Sequence, residues 1–509
     1  MDKLNAWLIT LAITLFGLVV KLVNLGYPNK LVFDETFYAK DAYTLIQTGA
    51  ERSWPEEVNG TPVNDVVVSG NVNVFEDNPA FVVHPPLGKW LIGLGEQLFG
   101  MNSFGWRFSA AIAGSVMVLL PIRLGRRIAR STWIGALAGL LLTLDGLTFV
   151  MSRVALLDIF QAMFLVAAVS ACVADRDYYR RRIAEKLELR GVDDFGGEFG
   201  PVVWLRPWRL AAGVLFGLSV AVKWNSVYVL AVMGVLCVMW DVGARRLAGA
   251  GWNAWVALII DGIPAFFRMV VVAVPVYIAT WTGWFLTSGG YDRQWGADNP
   301  DDPSVKALGP DVASFLHDHI DIYNFHTGKY MMEEATPSYE SHPWQWLFMI
   351  RPTAMDAVND IQPGTDGCPL DQGECLRVIT GMGTPLLWWA CALALVLGFV
   401  WWIGDRDWRF GVGVLAAAAS YVPWWIYSGR PTFSFYTITM IPFMCIELAL
   451  CLALLLGPKR GPNRVLRGAA VGAFVGLVAL NFAFIYPILT DEVLPRWQWL
   501  LRIWFPTWI

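Results

Sequence analysis

The chain has 509 residues, 56% of them hydrophobic and only 16% charged, with a mean hydropathy of +0.47. A soluble domain carries nearer a quarter charged residues, and repeated apolar runs of about 17 residues or more exclude one in favour of a polytopic helical membrane protein. The net charge of −4 says little, because where the charges sit matters more than their sum; no nucleic-acid partner is expected.

The N-terminus, MDKLNAW, lacks the basic region and small-residue cleavage site of a removable signal, so the first apolar run reads as an uncleaved span. Eleven spans are expected, at about 7–25, 104–122, 132–148, 154–173, 208–223, 225–241, 268–287, 385–403, 408–427, 433–456 and 468–488. The segment 252–266 reads as a surface helix or a twelfth span, and its Asp261 and Pro264 favour the surface helix. Basic clusters follow every even-numbered span: Arg123, Arg126, Arg127 and Arg130; Arg176, Arg180, Arg181, Arg182 and Lys186; Arg245 and Arg246; Arg406 and Arg409; Lys459, Arg460, Arg464 and Arg467. They place those loops and the N-terminus in the cytoplasm. Three regions result: a membrane module 1–287 with an outer loop 26–103, a second outer loop 288–384, and a C-terminal membrane region 385–509 whose tail, Arg496 to Arg502, lies along the outer interface.

All five histidines fall on the outward side, and so does Phe33-Asp34-Glu35-Thr36-Phe37-Tyr38. Two adjacent carboxylates at a membrane boundary are costly unless they have a task. Read alone, Asp34 is a helix N-cap and Glu35 a first-turn acid. Their helix would run to about Gln47, stop at Gly49, and carry Phe37, Tyr38, Ala42, Leu45 and Ile46 on one face. The loop after it has a hairpin-like polar middle from Asn59 to Asn78. Five cations at the same outward depth shift the balance toward chemistry: Lys21, Arg107, Arg153, Lys223 and Arg430. Any one can snorkel to headgroups, but five beside acids read as a site for a phosphate, with a lipid phosphate the obvious ligand. A carboxylate can then take the proton of an incoming hydroxyl while Lys or Arg stabilises a departing phosphate. The sequence contains no Walker loop or dinucleotide fingerprint. Charges at the outer edge rather than mid-bilayer disfavour a transporter. A transferase that moves a sugar onto a glycolipid or cell-wall polymer shares the same parts and stays open at this level. Asp158 is expected to pair with a cation, and His317 and His319 read as surface residues. Cys368 and Cys375 either staple the outer loop as a disulfide or remain two thiols.

Several motifs occur in order between residues 21 and 445: Phe33-Asp34-Glu35, His84-Pro85-Pro86-Leu87-Gly88-Lys89, Arg153-Val154-Ala155-Leu156-Leu157-Asp158, and Val222-Lys223-Trp224. They continue with Phe325-His326-Thr327-Gly328, Ser341-His342-Pro343-Trp344 and Arg430-Pro431-Thr432-Phe433. Together they resemble the protein O-mannosyltransferase family, in its bacterial, actinobacterial-type branch, without the large outward MIR domain of eukaryotic members. The resemblance implies an all-α glycosyltransferase superfamily C fold at the plasma membrane. It also implies inverting transfer of mannose from polyprenyl-phosphate-mannose to Ser or Thr hydroxyls of proteins emerging from the Sec translocon, with no cofactor and no metal required. Carried onto this chain, Asp34 is the general base and Glu35 orients the acceptor or sugar. Lys21, Arg107 and Lys223 hold the donor phosphate with help from Arg153. Lys21 stands where the family more often has Arg, so a point charge replaces a bidentate contact. His84 anchors the Pro-Pro turn or donates to the sugar, and Arg430 contacts substrate.

Overall fold

The architecture is that of a computed structural model that describes residues 3–458 and 460–509; Lys459, one of the basic residues counted above, lies outside the described residues. In hydrocarbon every backbone N–H and C=O must find a partner within the chain, so apolar runs become helices. They are α1 (Lys3–Leu22), α2 (Glu35–Thr48), α3 (Leu87–Phe99), α4 (Ser103–Ala129), α5 (Thr132–Thr143), α6 (Asp158–Arg190), α7 (Pro207–Val220) and α8 (Ser226–Leu247). A broken helical run, Gly251–Thr280, follows. Then come α9 (Pro310–Thr327), α10 (Pro385–Gly404), α11 (Trp408–Tyr421), α12 (Ile441–Leu456) and α13 (Arg464–Ile485). Among the described residues seven helical runs are long and apolar enough to cross a membrane: α1, α4, α6, α8, Gly251–Thr280, α10 and Arg464–Leu489. The chain is a multi-pass, mostly helical membrane protein.

The remaining expected runs are helical but shorter, for visible reasons. α5 stops before Asp145, which accepts hydrogen bonds from the Thr148 amide (2.8 Å) and the Trp388 indole (2.7 Å). α11 is followed at once by Pro423, and α12 is preceded by a 3-10 turn, Ser434–Thr439, with Pro442 in its own first turn. The expected surface helix 252–266 is corrected: it joins the next run in Gly251–Thr280, through 3-10 and π turns. Asp261, which argued against burial, is neutralised by Arg245 at 2.8 Å and accepts from Tyr179 at 3.0 Å.

At the same end of the bundle, α6, α7 and α8 are joined by four buried charges. Arg206 and Arg209 each bond both Asp175 and Asp241, at 2.5 to 3.0 Å. Two cations and two anions cancel, which is the condition under which such charges can be buried at all.

The layer formed by residues 26–103 rests on α2 and α3. α2 runs to Thr48 and ends on Gly49 in the left-handed region (φ 81°), as its sequence requires. Its buried face is Ala39, Ala42 and Leu45, whereas Phe37 is exposed, so small residues rather than aromatics meet α3. Gly93 of α3 makes this approach possible, because a Cβ there would lie 2.9 Å from the Ala42 carbonyl oxygen. The hairpin-like middle is shorter than expected. Glu57–Val58 pairs with Thr61–Pro62 about Asn59 and Gly60, and Val63–Val68 is then helical, burying Val63, Val66 and Val67. The second outer loop adds a small sheet to the helical frame: β1 (Thr353–Ile361), β2 (Cys375–Gly381) and β3 (Leu494–Pro495), all antiparallel. Cys368 and Cys375 are paired as a disulfide beside it. Because β3 belongs to the C-terminal tail, the tail is stitched to the outer loop, with the Trp508 indole donating to the Met349 carbonyl.

The buried quartet makes a direct prediction. Arg209→Ala strands Asp175 and Asp241, and leaving buried charge uncompensated costs about 3–5 kcal/mol. Thermal unfolding in detergent should show the variant melting well below wild type, with Arg209→Lys recovering part of the loss.

Candidate active site

Phe33 takes a left-handed backbone conformation (φ 51°), which is costly for a bulky side chain. It is held there by edge-on packing against Phe433 and Phe435, with centroids 6.0 and 5.7 Å away. The bend starts α2 so that its two acids enter different surroundings.

Glu35 is fully buried and saturated. Arg107 of α4 grips it with two bonds of 2.8 Å, and the amides of Val32 and Ala155 each donate to it at 2.9 Å. The other Arg107 donors go to the carbonyls of Leu25, Pro28 and Lys30. Asp34 is half-buried and makes no capping hydrogen bond, so the capping reading does not describe it. Burial pushes its carboxyl up to about 6; nearby Lys223 pulls it down and nearby Asp158 pushes it up.

The two neighbours that act on Asp34, Lys223 and Asp158, line a cavity of ≈ 280 Å³ together with His84, Trp424, Arg430 and Tyr436, among others. Lys223, just after α7, reaches Asp158 at the start of α6 (2.8 Å) and lies 5.3 Å from the Tyr436 ring centre. An ammonium has three donors, so one ion pair leaves capacity for a ligand. Arg430 spends one donor on His326 Nδ1 (3.2 Å), and its buried Nε has no protein partner. His326 in turn meets the Val83 carbonyl through Nε2 (2.8 Å) and stacks on His84. A ring that donates at Nε2 and accepts at Nδ1 is neutral. Burial first, then Arg430, lower the pKa of His326 to about 4, and burial with the same neighbouring cations holds His84 well below its ordinary value. The site thus keeps two neutral imidazoles beside two cations.

The structure brings Asp34, Asp158, Lys223, His84 and Arg430 together, but not the other predicted cations. Arg107 is consumed by Glu35. Arg153 donates to the carbonyls of Lys21, Val23 and Asn24 at 2.5 to 2.8 Å, tying down the end of α1. The cleft both arginines touch measures ≈ 10 Å³, space for about one water rather than a phosphate. Lys21 is buried within the bundle, where its ammonium has no hydrogen-bond partner. Lys89 of the His-Pro-Pro motif lies against Glu51 at 2.5 Å, an outer-loop anchor. His326 lies in one of the family-like motifs but no role follows from it, and Trp424 and Tyr436 lie in none. What marks them is the tertiary meeting of His326 with 424–436, which no local pattern encodes. Away from the cavity, Asp292, His317 and Asp321 each bring one ligand atom within 4.8 Å of the others; the pairing with Asp292 is long-range, hence the surface reading of His317.

The chain is similar to known proteins in sequence and in fold. Residues 11–182 match the family model for dolichyl-phosphate-mannose-protein mannosyltransferase. The polyprenol-phosphate-mannose–protein mannosyltransferase of Mycobacterium tuberculosis is 35% identical, over 100% of this chain and 93% of its own length. The Corynebacterium glutamicum protein of the same name is 32% identical over 97% of this chain and 92% of its own. In fold, the chain is similar to the Saccharomyces cerevisiae protein O-mannosyltransferase Pmt1-Pmt2 complex bound to the sugar donor, with a TM-score of 0.71 at 13% identity, covering 100% of this chain and 93% of that one. It is more distantly similar to ArnT from Cupriavidus metallidurans in the apo state, with a TM-score of 0.50 at 14% identity, covering 96% and 77%. The expected glycosyltransferase superfamily C architecture is therefore present, and the chain belongs to the polyprenol-phosphate-mannose–protein mannosyltransferase family.

Proposed function

We propose that this chain transfers mannose from polyprenyl-phosphate-mannose to Ser or Thr hydroxyls of proteins crossing the plasma membrane from the Sec translocon. Its site would face the extracytoplasmic side and its N-terminus the cytoplasm. The observation that carries the reading is one half-buried carboxylate, Asp34, beside a cavity whose two cations, Lys223 and Arg430, retain unused donors. The pattern of basic loops supports the orientation.

In this reading the donor phosphate binds Lys223 and Arg430, while Asp158 fixes the Lys223 ammonium. The sugar lies against Trp424 and Tyr436, stacked on each other at 4.6 Å. The lipid tail leaves between α8 and Pro423–Ile426, where Val227 and Ile426 are exposed. Asp34 takes the proton from the acceptor hydroxyl, whose oxygen attacks the anomeric carbon on the face opposite the phosphate. The carbon–oxygen bond to phosphate breaks, its electron pair stays on the phosphate oxygen, and the two cations stabilise the charge that develops there. One displacement inverts the centre. The neutral imidazoles of His84 and His326 add no charge that would compete with these cations. Glu35 and Arg107 act as positioning residues beneath Asp34, and Arg153 and Lys21 belong to the same supporting layer.

Four outcomes test this. Asp34→Asn should lower turnover of labelled mannose onto a Ser/Thr-rich peptide by about 10² or more, the usual worth of a positioned base, with donor affinity retained; near-normal turnover would move the base elsewhere. Because the base must be ionised, kcat/KM should rise with pH through about 6, and the acid limb should vanish in the Asn variant. Arg430→Ala and Lys223→Met should each weaken donor binding by roughly tenfold or more, as loss of a charge-assisted bond does. Arg107→Ala should instead destabilise the fold by about 3–5 kcal/mol, seen as a lower melting temperature and folded yield, with donor affinity of the folded fraction unchanged.

A further inference from the structure

The largest unassigned feature lies at the far end of α4. Arg107 sits near its start, under the site, and Arg123 to Arg130 sit about 30 Å away by helix rise. There α4, α5, α6 and α7 leave a cavity of ≈ 970 Å³. Its mouth holds Arg123, Arg126, Arg127 and Arg130, and its walls are apolar or small, including Leu120, Ala167, Ser170 and Leu215.

Topology asks for basic residues in this loop, yet it does not ask for a cavity beneath them. Nor does it explain their unspent charge. Three other arginines of this face are occupied: Arg245 by Asp261, Arg409 by Asp407, and Arg176 by Asp177 and the face of Trp408. Of the four mouth arginines only Arg127 meets an acid, Asp177, at 3.4 Å, and that pair is partly exposed. Arg123 lies flat on Trp7 (3.7 Å) with a buried terminal nitrogen that has no hydrogen-bond partner. Arg126 donates only from Nε, to Thr132 (3.1 Å). Four positive charges against one negative, above a slot lined by Ala, Ser and Leu and flanked by Trp133 and Trp208, match a headgroup phosphate with an acyl chain beneath it.

We propose that this cavity is a binding site for one anionic phospholipid, its phosphate held by Arg123, Arg126 and Arg130 and one chain seated along Ala167 and Ser170. The site stands apart from the transferase reading, which enters only in naming the cytoplasmic leaflet as the source of the lipid.

The full chain, purified in detergent and stripped of lipid, can be titrated with dioleoyl-phosphatidylglycerol, dioleoyl-phosphatidylcholine, undecaprenyl phosphate and inorganic phosphate, with binding followed by native mass spectrometry and melting temperature. One phosphatidylglycerol should be retained per chain and raise the melting temperature, with phosphatidylcholine at least tenfold weaker and inorganic phosphate without effect. Arg126→Gln with Arg130→Gln should abolish the preference. Ala167→Leu and Ser170→Leu fill the slot while keeping every charge, and should weaken retention about tenfold; the Ser170 hydroxyl bonds only its own helix, so this variant should fold. Mannosyl transfer in neutral-lipid vesicles should persist in all of these variants, which separates a failure of this site from a failure of the proposed catalysis. Equal retention of the neutral lipid, unchanged retention in the slot-filling variants, or preference for free phosphate or undecaprenyl phosphate would overturn the proposal.

Discussion

The ion pair of Glu35 and Arg107 is the constraint on which the Asp34 end of the molecule depends. Its two charges are buried, and burial is tolerable only because each remaining lone pair and N–H is met by backbone. Those backbone partners come from three places: the turn after α1, the residues preceding α2, and the segment leading into α6. A single pair thereby fixes α4 against the entry to three other elements. Asp34 inherits its position from this pair, since it is the next residue along a chain that cannot slide.

The adjacent acids therefore do different work because they meet different media. Glu35 is surrounded by donors and stays a structural anion. Asp34 has no donor of its own and sits where burial outweighs the pull of Lys223, which leaves it more basic than an ordinary carboxylate. Around it the charges come in partly satisfied sets. Asp158 steadies Lys223 without exhausting it, and His326 steadies Arg430 while remaining neutral. A cavity in which cations are oriented yet incompletely paired is prepared for an anion arriving from outside.

The sequence conveyed the helical frame and the cavity's main charges, since both follow from local composition. Apolar length gave the runs, and the family-like motifs pointed to Asp34, Lys223 and Arg430. It misled where the outcome depended on what a side chain meets in three dimensions. Arg107 and Arg153 are indistinguishable from Lys223 as outward cations near span ends; only the fold shows that their donors are taken by Glu35 and by carbonyls of the α1 turn. Asp261 and Pro264 looked like a reason to leave 252–266 at the surface, because a charge in an apolar run has no visible counter-ion until Arg245 is placed beside it. The period put Phe37 on one face with Ala42 and Leu45, but only the fold shows that the close approach at Gly93 packs the small residues against α3 and leaves Phe37 exposed.

The arginines of this chain thus divide by what saturates them, and that division explains more than their number. Where carboxylates or carbonyls consume the guanidinium, as at Arg107, Arg153, Arg206, Arg209 and Arg245, the residue joins elements and has little left for a ligand. At Arg430 on one face and Arg123 on the other, donors remain and an aromatic-lined or apolar cavity adjoins them. A buried donor without a partner costs free energy comparable to a lost hydrogen bond, so a fold that retains such donors beside open space carries a penalty that a bound anion relieves. On the two proposals above, the same physics would serve a lipid phosphate at each end of the bundle, one as the group to be cleaved from its sugar and the other as a fixed occupant of the opposite leaflet.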